Sequence, residues 1–390
     1  MKSTNRLFLL ICISLSFLSL GQDNNQSQRG KLISEQFIGS IPFSEINNNL
    51  PEAKELEGDI SEIPKYDIDF YRIVYTSIFM DKTIQLSGLI IVPKSKERLD
   101  LIQYHHGTML PYPLPNGEGS LDVPSLYDCK PNKDYKAQYE TRLFGNYLAS
   151  YGYLVSMPDY VGYAVSDQFE HPYSVNNILA NQSVDMILAT KEFCNKMNIP
   201  LNDKIFLSGW SEGGAVSVAT QKLIESKYVG ELYVTANAPL AGFYNTPYYV
   251  RKIMKKFPTI NKDVDGALDV LIWALYAVNT YSQGLPIPNN EIFKYSVKNQ
   301  LDVLKNRPNS IPAKLFKKLK KSNLQKLIAK YEQHALAKNW QPIAPIYFHH
   351  GTDDDIVYYD NNVEYAIRNL NKLGGRCELR KYEKHDHYTL

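Results

Sequence analysis

KIFLSGWSEGGAVSVATQKL, from Lys204 to Leu223, runs from an apolar stretch through a glycine-flanked serine into a helix-like pattern. Gly209, Ser211 and Gly213 form G-x-S-x-G, with Gly214 directly after. In that pattern the serine occupies a sharp strand-to-helix turn with strained backbone angles. Side chains two positions either side would collide with the neighbouring strand and helix, so glycine is needed there. The turn lifts Oγ clear of the sheet and aims the next helix N-terminus at it, so the N–H of Glu212 can face an oxyanion. The glycines thus predict a nucleophile on a strand–turn–helix corner.

Moving outward, apolar runs that end in loop residues recur: LDLIQYHHGT, GYLVSMPDY, ELYVTANAPLAG and APIYFHHGTDDD. Helical patterns with apolar spacing of three and four lie between several of them, such as YETRLFGNYLASY and VNNILANQSVDMILATKEFCNKM. This alternation predicts a mostly parallel sheet covered by helices on both faces. Ahead of it, YRIVYTSIFMDKTIQLSGLIIVP reads as two strands joined by a turn at Asp81 and Lys82. Residues 22–64 are polar, with EINNNLPEAKELEGD suggesting a short helix or an arm with little core.

The alternation stops at 249–340, where the text is helical only, as in DGALDVLIWALYAVNTY and IPAKLFKKLKKSNLQKLIAKYEQHALAK, and sheet strands resume after Pro342. The expected organisation is a sheet core over 65–248 and 341–390 with 249–340 inserted as a helical cap. The insertion is basic, about 17 Lys and Arg against about 6 Asp and Glu, which reads first as a solvated helix face and second as a transient contact with a lipid surface.

A nucleophilic serine needs a base and an orienting acid, expected in the order Ser, Asp, His. Downstream of Ser211, one strand end carries Asp353, Asp354 and Asp355, and the last strand is followed by His385 and His387. The earlier run LIQYHHGTML places Gly107 and Thr108 at a strand end, where the Thr108 N–H is the candidate second oxyanion donor. His106, Asp159 and His171 stand at the same rim as candidates for lining the crevice, with loop support the favoured role for the last two.

Together, YRIVYTS…LSGLIIVP, YHHGT, PDYVGYA, HPY, GWSEGG, HHGTDDDIV and a late histidine resemble the secretory lipases of the α/β-hydrolase superfamily and their bacterial esterase relatives, from about Tyr71 to the C-terminus. The resemblance implies an α/β-hydrolase fold with an inserted cap and a serine esterase or lipase needing no cofactor. The family's acid-loop pattern matches Gly351, Thr352, Asp354 and Val357, which implies Asp354 as the acid. The family's spacing from the last strand's tyrosine, here Tyr382, implies His387 as the base. Two departures stand out: Ala164 replaces a frequent glycine, and the chain ends three residues after His387.

The first 21 residues carry Lys2 and Arg6, then an apolar run from Leu7 to Leu20, too short to span a bilayer, and read as a cleaved secretory leader. Lipid attachment at Cys12 is disfavoured because Ile11 precedes it. The mature chain then keeps Cys129, Cys194 and Cys377 in a compartment where one bridge could form, with no pair selected. No Cys/His spacing suggests zinc, and the pairs His105–His106 and His349–His350 end strands, where neighbours point to opposite faces. A net charge of +2 makes no case for nucleic acid. The rival readings are a serine peptidase on the same fold and a catalytically silent binding protein. The 29 tyrosines and the cap's apolar helices suit a lipid acyl chain and equally an aromatic or carbohydrate ester.

Overall fold

The computed structural model describes residues 28–46, 64–115, 118–129, 138–248, 251, 265–293, 296–305 and 321–389. The leader at 1–21, with Cys12, lies outside the described residues, as do most of EINNNLPEAKELEGD and the parts of the helical block at 252–264 and 306–320.

The strands are β1 (Leu32–Ile41), β2 (Ile68–Phe79), β3 (Lys82–Pro93), β4 (Leu99–His105), β5 (Leu154–Pro158), β6 (Leu201–Trp210), β7 (Val234–Leu240), β8 (Ile346–Gly351) and β9 (Cys377–Tyr382). They form one sheet in the order β1-β2-β3-β5-β4-β6-β7-β8-β9. From β5 to β9 every pairing is parallel, while β1, β2 and β3 join antiparallel at one edge. All the parallel strands therefore end on one rim.

Alternation along the strands explains why both faces are covered. In β2, Ile73 and Tyr75 enter one apolar cluster with Val184, Ile187 and Phe193, whereas Ile68 and Phe70 enter another with Tyr127, Tyr147 and Ala149. The covering helices are α1 (Tyr147–Tyr151), α2 (Asn176–Met197), α3 (Glu212–Lys227) and, after the insertion, α8 (Val363–Lys372). A π-helical turn, Thr141–Asn146, leads into α1.

Two expectations are corrected. The 22–64 segment contributes a ten-residue strand, β1, whose Leu32–Ile41 run pairs antiparallel with β2. It shows no two-residue alternation because it lies at the sheet edge and stays half-exposed on both faces. Its approach is tied down by Arg29, whose Nε bonds Asp185 at 2.9 Å. The β2–β3 turn is Met80–Asp81 rather than Asp81–Lys82: Phe79 pairs with Lys82, and both turn residues take positive φ, 49° and 59°. That is the geometry a two-residue hairpin needs to match strand twist.

Between β7 and β8 the described part of the insertion is helical: α4 (Asp265–Tyr281), α5 (Asn289–Ile292), α6 (Gln300–Lys305) and α7 (Lys321–Glu332). It docks on the loop after β5. Glu170 accepts hydrogen bonds from the hydroxyls of Tyr276 and Tyr281, both 2.9 Å, and from the Gln300 N–H at 2.7 Å. Trp273 stacks on Tyr173 with centroids 4.5 Å apart and an interplanar angle of 9°. The Lys330 ammonium reaches the carbonyls of Ser282, Gln283 and Gly284, capping the end of α4, where a cation offsets the helix's unpaired carbonyls.

Among the described residues, no helix is long and apolar enough to cross a membrane, and no three His, Cys, Asp or Glu side chains converge as a metal site would require. Cys129, Cys194 and Cys377 are all free thiols. They belong to separate regions: Cys194 and Cys377 sit in different apolar clusters and Cys129 packs against a third. No bridge joins any pair.

Candidate active site

Ser211 stands between β6 and α3 with φ 57° and ψ −114°, a conformation that costs a non-glycine residue of order 1–3 kcal/mol and persists only when its surroundings enforce it. The surroundings are backbone. A Cβ on Gly213 would lie 1.9 Å from the His105 carbonyl oxygen, and one on Gly209 would lie 2.6 Å from the same atom. A Cβ on Gly214 would lie 2.5 Å from the Leu240 carbonyl oxygen. The missing side chains let the ends of β4, β6 and β7 close around the turn. Glu212 opens α3, so its N–H has no acceptor within the helix.

The His387 ring links this turn to the far edge of the sheet. Its Nε2 lies 2.9 Å from Ser211 Oγ and its Nδ1 2.8 Å from Asp354 Oδ2. Asp354 Oδ1 accepts from the backbone N–H groups of Ile356 at 3.1 Å and Val357 at 2.7 Å. His350 Nε2 lies 3.3 Å from Oδ2. Burial alone would raise this carboxyl, but the hydrogen bonds from His350 and His387 outweigh it and hold Asp354 below the usual range. Of the neighbouring acids, Asp353 and Asp355 are exposed, and His385 turns outward to the Thr389 carbonyl. All three members of the Ser211–His387–Asp354 chain are buried.

The segment around His387 is held by several contacts. The Trp210 indole N–H donates to the His387 carbonyl at 3.1 Å, and its ring lies against His387. Asp386 accepts from the N–H groups of Tyr388 and Thr389, at 2.9 and 3.0 Å, and from the Thr389 hydroxyl at 2.9 Å. The Asp353 N–H donates to the His385 carbonyl at 3.0 Å.

Across the turn, Gly107 packs against Trp210, and Thr108 Oγ1 lies 2.8 Å from the Tyr173 hydroxyl. Glu140 fixes this loop from behind: it receives the Gly107 N–H on both oxygens, at 2.9 and 3.1 Å, and the Tyr104 hydroxyl at 2.7 Å. Burial pushes the Glu140 carboxyl up to about 8. The sequence offers no local signal for this contact, which spans 33 positions.

His106, Asp159 and His171 are fully buried beneath the crevice. His106 Nδ1 lies 2.7 Å from the Gly107 carbonyl and its ring lies against Tyr160. Asp159 accepts from the Ser87 hydroxyl at 2.6 Å and the Ser125 N–H at 2.9 Å. His171 spans the Val161 carbonyl at 2.9 Å and Glu212 Oε1 at 3.1 Å, while its backbone N–H donates to Gln300 Oε1, the acceptor also used by the Trp273 indole. These residues tie the loops after β4, β5 and β6 to the helical insertion. Ala164 sits at φ 46°, a left-handed position that explains why glycine is frequent there in proteins with this pattern.

The secretory lipase family matches residues 130–249. The rice cell wall degrading esterase LipA from Xanthomonas oryzae superposes with a TM-score of 0.71 at 19% identity, covering 92% of each chain. A putative hydrolase from Legionella pneumophila gives 0.69 at 23% identity, covering 92% of this chain and 94% of that one. Candida antarctica lipase A gives 0.61 at 14% identity, covering 92% of this chain and 78% of that one. No protein of curated function matches the sequence. The chain has the α/β-hydrolase fold, and its residues 130–249 are similar to the secretory lipases.

Proposed function

We propose that this α/β-hydrolase cleaves carboxylic esters through a covalent acyl-serine, with Ser211 as nucleophile, His387 as base and Asp354 as its orienting acid. The observation that carries the reading is the hydrogen-bond chain from Asp354 Oδ2 through both His387 nitrogens to Ser211 Oγ, at 2.8 and 2.9 Å. With Nδ1–H donated to Asp354, Nε2 is left to accept the serine proton. Ser211 Oγ bonds to the acyl carbon as that proton moves to Nε2, and the former carbonyl oxygen becomes an oxyanion. The N–H groups of Glu212 and Thr108 receive it. His387 then gives its proton to the departing alkoxide, the acyl–oxygen bond breaks and alcohol leaves. Water, deprotonated by His387, attacks the acyl-serine and releases the acid while Ser211 recovers its proton. The esterase and lipase relatives support this substrate class over a peptide. Labelling by a fluorophosphonate tests it: the wild-type chain is expected to label and the Ser211→Ala variant not. Labelling that survives in the variant would reject Ser211.

The 249–340 insertion is read as a cap that selects substrates, since its helix α4 packs on the loop after β5 beside Thr108 and Glu212. Leu271→Ala enlarges the space beneath the cap, so the preferred acyl length of an ester panel is expected to rise; an unchanged profile speaks against selection. The leader and the secretory lipase match support export. Size comparison of the secreted and intracellular chain tests cleavage near Gly21.

A further inference from the structure

Of the two residues whose N–H groups receive the oxyanion in the proposed reaction, Thr108 is the less constrained by its own backbone. Glu212 is locked between the glycine-clamped turn and α3, whereas Thr108 is half-buried in the loop after β4. Its N–H shares a peptide plane with the Gly107 carbonyl, and in a trans peptide the two groups point opposite ways. Holding the carbonyl therefore aims the N–H. His106 Nδ1 lies 2.7 Å from that carbonyl, and Glu140 receives the Gly107 N–H, so the plane is held from its Gly107 end. A second hold is needed at the Thr108 end, or the plane can still swing about the Thr108 N–Cα bond.

Tyr173 supplies it. Its hydroxyl lies 2.8 Å from Thr108 Oγ1. Threonine is branched at Cβ and stiff about χ1, so a hold on Oγ1 is carried to Cα and hence to the plane. The tyrosine has little freedom of its own: it is buried and stacks on Trp273 of α4. Trp273 gives its indole N–H to Gln300 Oε1 at 3.2 Å, and the same oxygen takes the His171 N–H at 3.2 Å. The His171 carbonyl in turn accepts the Tyr173 N–H at 2.9 Å. Ring and backbone of Tyr173 are thus both seated on the helical insertion. Phenylalanine would fill the same space and stack as well, so packing accounts for the ring but not for the hydroxyl, whose contact is with Thr108.

We infer that Tyr173 is a positioning residue for the oxyanion site: its hydroxyl fixes Thr108, and the insertion, through Trp273, fixes Tyr173. A donor ordered in advance costs no reorganisation when charge develops on the acyl oxygen. The helical insertion then has a task besides selecting substrates, because its seating on the loop after β5 sets the alignment of a group that meets the reacting atoms. The inference rests on the ester-hydrolase reading, in which Thr108 donates to the oxyanion.

Tyr173→Phe and Thr108→Val each delete one half of the contact and keep the Thr108 N–H. Two rates are read: kcat on a short-chain ester, and labelling by a fluorophosphonate, whose phosphoryl oxygen occupies the oxyanion position. Each variant is expected to lower both by about threefold to tenfold, with KM changed less than about twofold and the melting temperature nearly unchanged. The double variant should fall no more than about twofold below the poorer single one, because both substitutions remove one bond. Trp273→Leu should reproduce the loss, and Trp273→Phe, which keeps a ring against Tyr173, should recover most of it. If Trp273→Leu does not fold, the Tyr173 and Thr108 cycle decides by itself. Unchanged rates in Tyr173→Phe, a loss confined to KM, losses that multiply in the double variant, or a folded Trp273→Leu chain as fast as wild type overturns the inference. A wild-type chain that hydrolyses no ester and takes no label removes the reaction and the inference together, whereas a labelled wild type with an indifferent Tyr173→Phe removes the inference alone.

Discussion

Ser211 and His387 approach to 2.9 Å, yet the chain holds them in different ways. The serine turn is clamped by backbone against backbone: glycines at 209, 213 and 214 leave no room for a Cβ beside the carbonyls of His105 and Leu240. The histidine lies at the sheet edge, where backbone contact reaches only as far as His385 and Asp386, against Gly351 and Asp353, and His387 itself is tethered by the side-chain hydrogen bond from Trp210. A backbone clamp is stiff and intolerant of substitution. A side-chain tether yields in small steps, so the same displacement of the two partners should arise from very different mutations.

The largest effects should come from the proposed nucleophile and base, where the difference in support does not matter. Ser211→Ala and His387→Ala are each expected to lower ester turnover more than about a thousandfold with the melting temperature nearly unchanged, because each removes a bond-making or proton-moving atom and little packing. His385→Ala should cost less than about tenfold, and the reverse ranking of the two histidines in a short-chain ester assay would move the base.

Gly213→Ala tests the clamp. Its Cβ would meet backbone 1.9 Å away, with no flexible side chain to give way, so a loss of more than about 3 kcal/mol in folding stability is expected by denaturant titration, and activity falls with it. A stable, active variant would mean that the turn is looser than the geometry states. Trp210→Phe tests the tether: it keeps a ring beside His387 but deletes the donor to its carbonyl. Loss of one such bond corresponds to about a threefold to tenfold drop in kcat, with little change in the melting temperature. A drop as large as that of His387→Ala would show the tail to be as rigid as the turn.

A further effect, read in the pH dependence of stability rather than in turnover, concerns Glu140, which supports the Thr108 loop from behind. Its carboxyl is raised from 4.5 to about 8, so below pH 4.5 folded and unfolded chains are both protonated there and the buried acid is at its most favourable. Between those values the unfolded chain loses the proton while the folded one keeps it, and stability falls until the pH passes about 8. Glu140→Gln removes this dependence. Its melting temperature relative to wild type should therefore rise from pH 5 to pH 9, and a constant difference would show that Glu140 titrates at its ordinary value.

What could be read from the sequence follows the same division. The Ser211 corner was legible because its cause is local: glycines at fixed offsets between a strand pattern and a helix pattern. The parallel strands were legible because burial on both faces gives continuous apolar runs, as in β5, buried throughout. β1 was not, since an edge strand half-exposed on both faces has no periodicity. The hairpin turn was misplaced by one residue because Met80 is not the asparagine or glycine that usually marks a left-handed turn position. Glu140, His350 and Trp210 reach the site through contacts that no motif encodes. Cysteine number allowed a bridge, and only the separation of the three thiols among the apolar clusters shows that none forms.

Burial also governs the reactivity of those thiols. Burial pushes Cys129, Cys194 and Cys377 each up to about 12, so at neutral pH only about one thiol in 100,000 is the thiolate that attacks a disulfide. Once folded, the chain slows thiol exchange at all three positions without a cross-link. The unfolded chain has no such protection, because each exposed thiol returns to its ordinary acidity. Packing of the apolar clusters thus withdraws all three thiols from exchange as the chain folds.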